Sequence, residues 1–531
     1  MSLSQDIINL RYAWLKDNGE RETWEEIARR VSDNVLSVFN LKKEIKDAVY
    51  EIISRKKFIP GGRFLAQAGR PFHQTNNCFL LEAEDTREGW AELMKKASMM
   101  LMTGGGIGVD YSQIRPAGSI LKSSGGLASG SIPLMNIINE IGRGVISGGK
   151  RRSAIWAGLH WKHKDIFDFI QLKNWHPDVR RLKEENFNFP ATMDMTNISV
   201  ILDKEFFDSF NNNDSWANDV YWKTVERMVK TGEPGFSVNY DNPKESLRNA
   251  CCEVVSEDDC DVCCLGSINL ANVFSIEELE WITELAIIFL LCGTEYSDVP
   301  YYKVKEVREK NRRLGLGLMG LHEWLILRDY PYAPNAELQE WLEVWQQKSD
   351  EFAKKWSEKF SINCPVKKRA IAPTGSISIV GETTSGIEPI FAVAYLRRYL
   401  SPSGWQEKVI VDPVAERLIN LGINPDNIED SYTLADDVER RIQFQYFLQK
   451  YVDNAISSTI NLPAYGQKGN SDYEAFGKIL ISYLPFLRGI TVYPDGARGG
   501  QPLVRLDYRE AISNKFDYEE FENCPGGVCG I

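Results

Sequence analysis

The sequence predicts an α/β fold with a largely parallel sheet, and two observations carry that prediction. From about residue 58 to 510, short apolar or β-branched runs alternate with longer amphipathic stretches. No self-similar period of solenoid length and no low-complexity segment breaks the alternation. NISVIL at 197–202, RAIAP at 369–373 and ITVY at 490–493 read as strands, because β-branched side chains fit a pleated surface. Residues 336–360 and 438–455 read as helices from apolar positions three and four apart. Residues 1–57 read as a helical N-terminal segment, with Ile7, Ile8, Leu10 and Trp14 near helical spacing, and Pro60-Gly61-Gly62 ends it. Residues 511–531 close on NCPGGVCGI, where Gly-Gly between two cysteines reads as a flexible arm.

The chain has 531 residues, 43% hydrophobic and 26% charged, so it can bury a large core without disulfide or metal staples. A net charge of −12 argues against direct DNA binding, which calls for a basic face. A small phosphorylated ligand stays open, since local Arg, Lys and backbone N–H groups hold one. No apolar run of signal-peptide or membrane-spanning length is present, so a soluble, cytoplasmic protein is expected. The ten cysteines are then expected to be reduced at rest.

Two glycine-rich stretches, TGGGIGVD at 103–110 and SGGKRRSA at 147–154, fit neither the dinucleotide nor the P-loop spacing. They read as turns and tight packing. Cysteine is the stronger pointer to chemistry, because NACCEVVSEDDCDVCC holds Cys251, Cys252, Cys260, Cys263 and Cys264. One reading is a structural zinc site in a nucleotide-binding or regulatory protein, with four thiolates around a tetrahedral ion. Against it, Cys251 and Cys252 are adjacent and chelate poorly, and Glu257, Asp258, Asp259 and Asp261 crowd the second pair. The other reading is radical chemistry. Asn249, Cys251 and Glu253 alternate, and in extended backbone such residues share a face. The thiol can carry a radical, the carboxylate can act as base on a hydroxyl, and the amide can orient hydroxyls.

NACCE at 249–253 resembles the finger loop of ribonucleotide reductase large subunits, as do its flanks TGEPGFSVNYDN (231–242) and CCLGSINLAN (263–272). NNCFLLEAED at 76–85, GGGIGVDYSQIRPAGS at 104–119 and RRLGLGLMGLHEWL at 312–325 are similar to further motifs of that family, in its order. APTGSISIVGETTSGIEP at 372–389 and GITVYPDGARGGQPL at 489–503 complete the series. The resemblance implies a ten-stranded α/β barrel with a central finger loop over residues 58–510, and it covers roughly 58–531.

It also implies roles. Cys251 would carry the thiyl radical, Glu253 would be the base at the 3′-hydroxyl, and Asn249 would bind the sugar hydroxyls, with Asn77 also on the substrate. Cys78 and Cys263 would be the reducing pair and form the Cys78–Cys263 disulfide, with Cys264 one residue away as the competing assignment. Cys524 and Cys529 would be the redox shuttle, re-reduced by a thioredoxin- or glutaredoxin-like protein through thiol–disulfide exchange. Thr374, Gly375, Ser376 and Ser378 would hold the substrate phosphate. Asp85, Arg115, Lys122, Arg151 and Arg152 would bind a deoxynucleoside triphosphate effector, in loops that sit near a homodimer interface in the family.

The radical source follows from the C-terminal strand. Members with a separate radical-generating subunit carry a Tyr-Tyr relay there, but this chain has Val492 and Tyr493, and its Tyr301–Tyr302 pair lies elsewhere. CPGGVCGI does not resemble a glycyl-radical segment. The pattern is similar to the adenosylcobalamin-dependent class, with no protein histidine expected on the cobalt; His160 and His163 read as a polar face. A large subunit served by a separate radical generator is the alternative. Two departures stand out: Ala250 and Cys252 replace the family's proline and glycine, and the N-terminal segment is too short for the family's ATP-binding domain.

Overall fold

Ile198, Val200, Ile201 and Leu202 are apolar on both faces of the run, with only the small Ser199 between them, the pattern of a strand covered on both faces. In the computed structural model, which describes residues 2–122, 124–147, 151–186, 188–401, 404–497 and 503–513, this run lies inside a ten-stranded sheet. Its strands are β1 (Phe58–Pro60), β2 (Cys78–Glu82), β3 (Gly106–Asp110), β4 (Ile155–His160) and β5 (Thr196–Asp203). They continue with β6 (Gly235–Asn239), β7 (Asp261–Asn269), β8 (Leu314–Met319), β9 (Thr459–Leu462) and β10 (Gly489–Pro494).

β2 to β6 are parallel neighbours in chain order. Helices such as Arg87–Met102, Ile132–Gly144 and Ser215–Thr231 make the returns that parallel pairing requires. β7 and β8 form a second parallel pair, and β9 and β10 a third. Antiparallel seams join these groups, β7 against β2 and β10 against β6, and β1 lies antiparallel on β7. The mixed α/β architecture with a parallel-dominated sheet is as predicted.

Among the described residues no closed barrel is seen: the ladder runs from β1 to β9, with β8 branching from β7. RAIAP forms isolated bridges, Leu316 with Arg369 and Ile371 with Ile456, rather than the expected strand. The Asp453 carboxylate accepts the N–H groups of Lys368 and Arg369 at 2.9 and 2.7 Å, and so takes donors a ladder would use. The helix expected over 438–455 ends at Gln449. Beyond it the buried Asn454 side chain donates to the carbonyls of Leu314 and Arg369 at 3.2 and 3.0 Å.

The helix predicted over 336–360 is present as Ala336–Phe360, capped by Asn335 accepting from the Leu338 N–H at 2.8 Å. The N-terminal segment holds helices Leu3–Ile7, Trp24–Val35 and Lys43–Ser54. A Thr23/Glu26 capping box starts the second. Buried side chains of this segment, including Tyr12, Ile27 and Val31, share one apolar core with Leu316 and Leu318 of β8 and with Trp341 and Trp345.

The first glycine stretch has a specific reason. A short hairpin, Leu247–Arg248 paired with Val255–Ser256, lies against β3. A Cβ on Gly108 would stand 1.9 Å from the Arg248 carbonyl oxygen, and one on Gly106 would meet the Ala250 Cβ at 3.0 Å. Residues 148–150 of the second stretch lie outside the described residues.

Candidate active site

The hairpin over β3 is fixed at its base by a buried ionic network. Arg313 donates to Asp261 at 2.8 Å and to the Ser256 hydroxyl at 3.2 Å, and Ser256 donates to Asp261 at 2.7 Å. Arg313 and Asp261 are buried. The Ala455 N–H donates to the Glu253 carbonyl at 2.8 Å and ties the far side of the hairpin to the chain before β9.

On this base, Asn249 and Glu253 converge on Cys78 at the start of β2. The Asn249 amide lies 3.0 Å from the Cys78 sulfur, which lies 3.8 Å from Glu253 Oε1. The Asn249 carbonyl oxygen Oδ1 accepts the Val254 N–H at 3.0 Å, which holds the amide in place. All three residues are buried. The convergence does not come from the extended backbone expected of alternating residues. The Cys252 N–H donates to the Asn249 carbonyl at 3.1 Å and Cys252 has φ +66°, so residues 249–252 turn. Cys251 sits on that turn and is exposed.

Cys263 stands directly opposite Cys78 in the antiparallel β7–β2 pairing. Such neighbours lie within reach of a disulfide. Both are free thiols here. Cys263 shares an apolar cluster with Cys78, Leu80 and Leu265, whereas Cys264 faces the other side of β7 and accepts from the Asn76 amide at 3.0 Å. Cys260 is buried beside Asp259. Among the described residues no group of three or more His, Cys, Asp or Glu is arranged to hold a metal ion.

Burial pushes the Cys78 thiol well above its ordinary value, and the charges of Glu253, Cys251 and Cys263 push it further. Burial also raises the Glu253 carboxyl, against the bonds from Asn249 and Cys78 that favour its ionised form. Two buried acceptors, Glu253 Oε2 and Asn77 Oδ1, have no partner among the described residues. An unpaired buried acceptor costs about 1–3 kcal/mol, so a ligand that brings hydroxyl donors is favoured here.

Thr374, with φ +52°, accepts the Gly386 N–H at 2.8 Å, and the Ser378 hydroxyl pairs with that of Ser385 at 2.8 Å. Gly375 is exposed, with open space where a side chain would stand. Ser376 pairs with the Tyr12 hydroxyl at 2.7 Å.

Asp85 and Arg115 form an ion pair at 2.6 Å, at the start of a loop that returns on itself by the Ile120–Leu127 bridge. Lys122 is exposed near its tip. Both ends of this loop are held by Asp165, which accepts from the N–H groups of Ala117 and Ser131 at 2.9 and 3.0 Å. No local motif marks Asp165, and Arg313 lies in the 312–325 stretch without a pattern that points to its partner Asp261. Arg151 and Arg152 form a short strand against Ile146–Ser147, and their side chains lie outside the description. Cys524 and Cys529 lie outside the described residues. His163, expected on a polar face, is buried with Nε2 against the Ile114 carbonyl at 2.7 Å, and His160 pairs with Asp203 at 3.2 Å.

Among the described residues, no helix is long and apolar enough to cross a membrane. The family model described as "Ribonucleotide reductase, barrel domain" matches residues 76–229, 217–339 and 366–483. A Thermoplasma acidophilum protein named vitamin B12-dependent ribonucleoside-diphosphate reductase is 25% identical over 94% of this chain and 71% of its own length. A Mycobacterium tuberculosis protein of the same name is 26% identical over 90% of this chain and 76% of its own. A Mycobacterium phage D29 protein, named for adenosylcobalamin-dependent ribonucleoside-triphosphate reduction, is 23% identical over 99% of this chain and 98% of its own. The matched residues take in β2 to β9 and the whole cluster around Cys78, and the chain belongs to the ribonucleotide reductase family.

Proposed function

We propose that this chain reduces ribonucleotides, as di- or triphosphates, to 2′-deoxyribonucleotides for DNA synthesis, with adenosylcobalamin as the source of the radical. The observation that carries the reading is the clustering of Asn249, Glu253 and Cys78, with Cys251 and Cys263 close enough to repel charge on Cys78. The relatives named for vitamin B12-dependent reduction support the choice of cofactor. A separate radical-generating subunit and a zinc-stabilised regulatory protein are the weaker alternatives.

Cys251 fits a bulky cofactor because its thiol is exposed on the hairpin turn and can be met from outside. When bound, adenosylcobalamin supplies a carbon-centred radical that takes hydrogen from a thiol. The Cys251 thiyl then abstracts the 3′ hydrogen of the sugar, and Glu253 takes the 3′-hydroxyl proton. Asn249 and Asn77 orient the hydroxyls. The 2′-hydroxyl leaves as water; Cys78 and Cys263 supply two electrons and two hydrogens and become a disulfide, Glu253 gives back the 3′-hydroxyl proton, and Cys251 returns its hydrogen to C3′ and is again a thiyl. The raised thiols of Cys78 and Cys263 keep both in the SH form that can donate hydrogen.

The parallel group β2–β6 and the separate parallel pairs β7–β8 and β9–β10 are read as parts of the family's barrel, and the 247–256 hairpin as its finger loop. Thr374 to Ser378 takes the substrate phosphate. Asp85, Arg115, Lys122, Arg151 and Arg152 take a deoxynucleoside triphosphate effector, near a homodimer interface. Cys524 and Cys529 return electrons from a thioredoxin- or glutaredoxin-like protein.

Single substitutions separate these roles. Cys251→Ser is expected to abolish turnover with any reductant. Cys524→Ser is expected to keep dithiothreitol-driven turnover and lose thioredoxin-driven turnover. Identical behaviour of the two variants sinks the assignment of the tail.

A further inference from the structure

The Tyr12 hydroxyl reaches Ser376 from the N-terminal segment, outside the residues that the family model matches. Tyr12 is 1% exposed, and its hydroxyl and that of Ser376 are 2.7 Å apart. The turn that delivers it is wide: the Ala13 N–H donates to the Ile8 carbonyl, five residues back, at 2.8 Å. Such π-type turns often mark functional positions. Arg30 donates to the Tyr12 carbonyl at 3.4 Å and is itself clamped by Glu22 at 2.7 Å. The Ser4 hydroxyl donates to the Val380 carbonyl at 3.2 Å, so the segment touches the phosphate-loop helix twice.

Gly62 makes room for this contact, since a Cβ there would stand 2.9 Å from the Tyr12 hydroxyl. Its neighbour Gly61 lies against Asn77, whose Nδ2 would be 3.3 Å from a Cβ on Gly61. One chain of neighbours runs from Ser376 through Tyr12, Gly62 and Gly61 to Asn77 and Cys78. It joins the proposed phosphate end of a nucleotide to the proposed sugar end.

We propose that Tyr12 is a positioning residue that aims the Ser376 hydroxyl at the substrate's 5′-phosphate. Phosphate oxygens accept hydrogen bonds, so a bound phosphate requires the Ser376 hydroxyl to donate. Tyr12 must then donate to Ser376, and the two bonds reinforce each other in series. The inference rests on the phosphate-loop reading.

The test measures KM and kcat for CDP and CTP, together with the Kd of CDP by calorimetry in the absence of the cofactor. Tyr12→Phe keeps the buried ring and is expected to raise KM and Kd by roughly three- to tenfold with kcat retained. Ser376→Ala is expected to raise both as much, and adding Tyr12→Phe to it should change nothing further. Gly62→Ala, whose methyl would meet the Tyr12 hydroxyl, should repeat the loss if Tyr12→Phe folds poorly. Unchanged KM and Kd in Tyr12→Phe beside a clear loss in Ser376→Ala overturn the role of Tyr12 alone. An equal further loss from Tyr12→Phe in the Ser376→Ala background also overturns it. Unchanged KM and Kd in Ser376→Ala overturn the phosphate-loop reading and the inference with it.

Discussion

The Asn249 side-chain amide lies 3.0 Å from the Cys78 sulfur, across 171 residues of sequence, and this contact joins the hairpin to the sheet. The same side chain accepts the Val254 N–H, so it both closes the turn and faces the thiol. Asn249→Ala is expected to lower kcat at least a hundredfold. It should also cost about 1–3 kcal/mol in urea unfolding, because the buried Val254 N–H loses its acceptor. Near-normal turnover would mean that the amide does not orient the reacting groups.

Glu253 gives a pH test with a definite sign. Burial raises its carboxyl above the ordinary value in the folded chain. Its contribution to stability is therefore full below the unfolded-state value and is lost as pH rises through the folded-state value. Glu253→Gln does not titrate, so its stability relative to the parent should climb across that window by about 1.4 kcal/mol for each unit of displacement. Turnover should be lost at every pH, and the acidic limb of the parent's rate profile should lie above the ordinary carboxylate range. A stability difference that stays flat from pH 4 to 8 contradicts the buried-carboxyl account.

Cys252 holds φ +66° at the hairpin turn, where the family has glycine. A side chain with a Cβ is strained there by about 1–2 kcal/mol. Cys252→Gly is expected to keep turnover and to gain roughly 1 kcal/mol in chemical unfolding. Loss of turnover with the fold intact would give the Cys252 thiol a chemical role.

Arg313 and Asp261 are 4% and 0% exposed, so removing one leaves the other as an unpaired buried charge. Arg313→Met should cost about 3–5 kcal/mol. The double variant Arg313→Met/Asp261→Leu should recover much of that stability. Because Ser256 still loses its partners, turnover should stay depressed in the double variant. Full recovery of turnover would show that the network supports the fold without placing the hairpin.

The sequence foreshadowed the architecture wherever local pattern decided the outcome. Four of the residues from Ile198 to Leu202 are apolar and the run lies in β5, and the 336–360 helix has its stripe of Trp341, Trp345 and Trp356. Reading failed where a distant side chain intervened. Asp453 takes the N–H groups of Lys368 and Arg369 where RAIAP begins, and Asn454 ties the chain after Gln449 to the carbonyls of Leu314 and Arg369. The alternation of Asn249, Cys251 and Glu253 suggested a shared face, but the left-handed Cys252 turns the backbone. Asn249 and Glu253 still converge, by a different route. The opposition of Cys78 and Cys263 was legible only through family resemblance, because an antiparallel register between distant strands leaves no local trace. Tyr12 and Asp165 left none either, since each acts on a partner far away in the chain.

The central claim is that this chain alone, with adenosylcobalamin, reduces ribonucleotides through Cys251. The direct measurement incubates the purified chain with CDP or CTP, adenosylcobalamin and dithiothreitol, with no second subunit, and quantifies the deoxycytidine product. The account predicts product with the cofactor, none without it and none from Cys251→Ser. No product under these conditions, or product that requires a second radical-generating subunit, contradicts it.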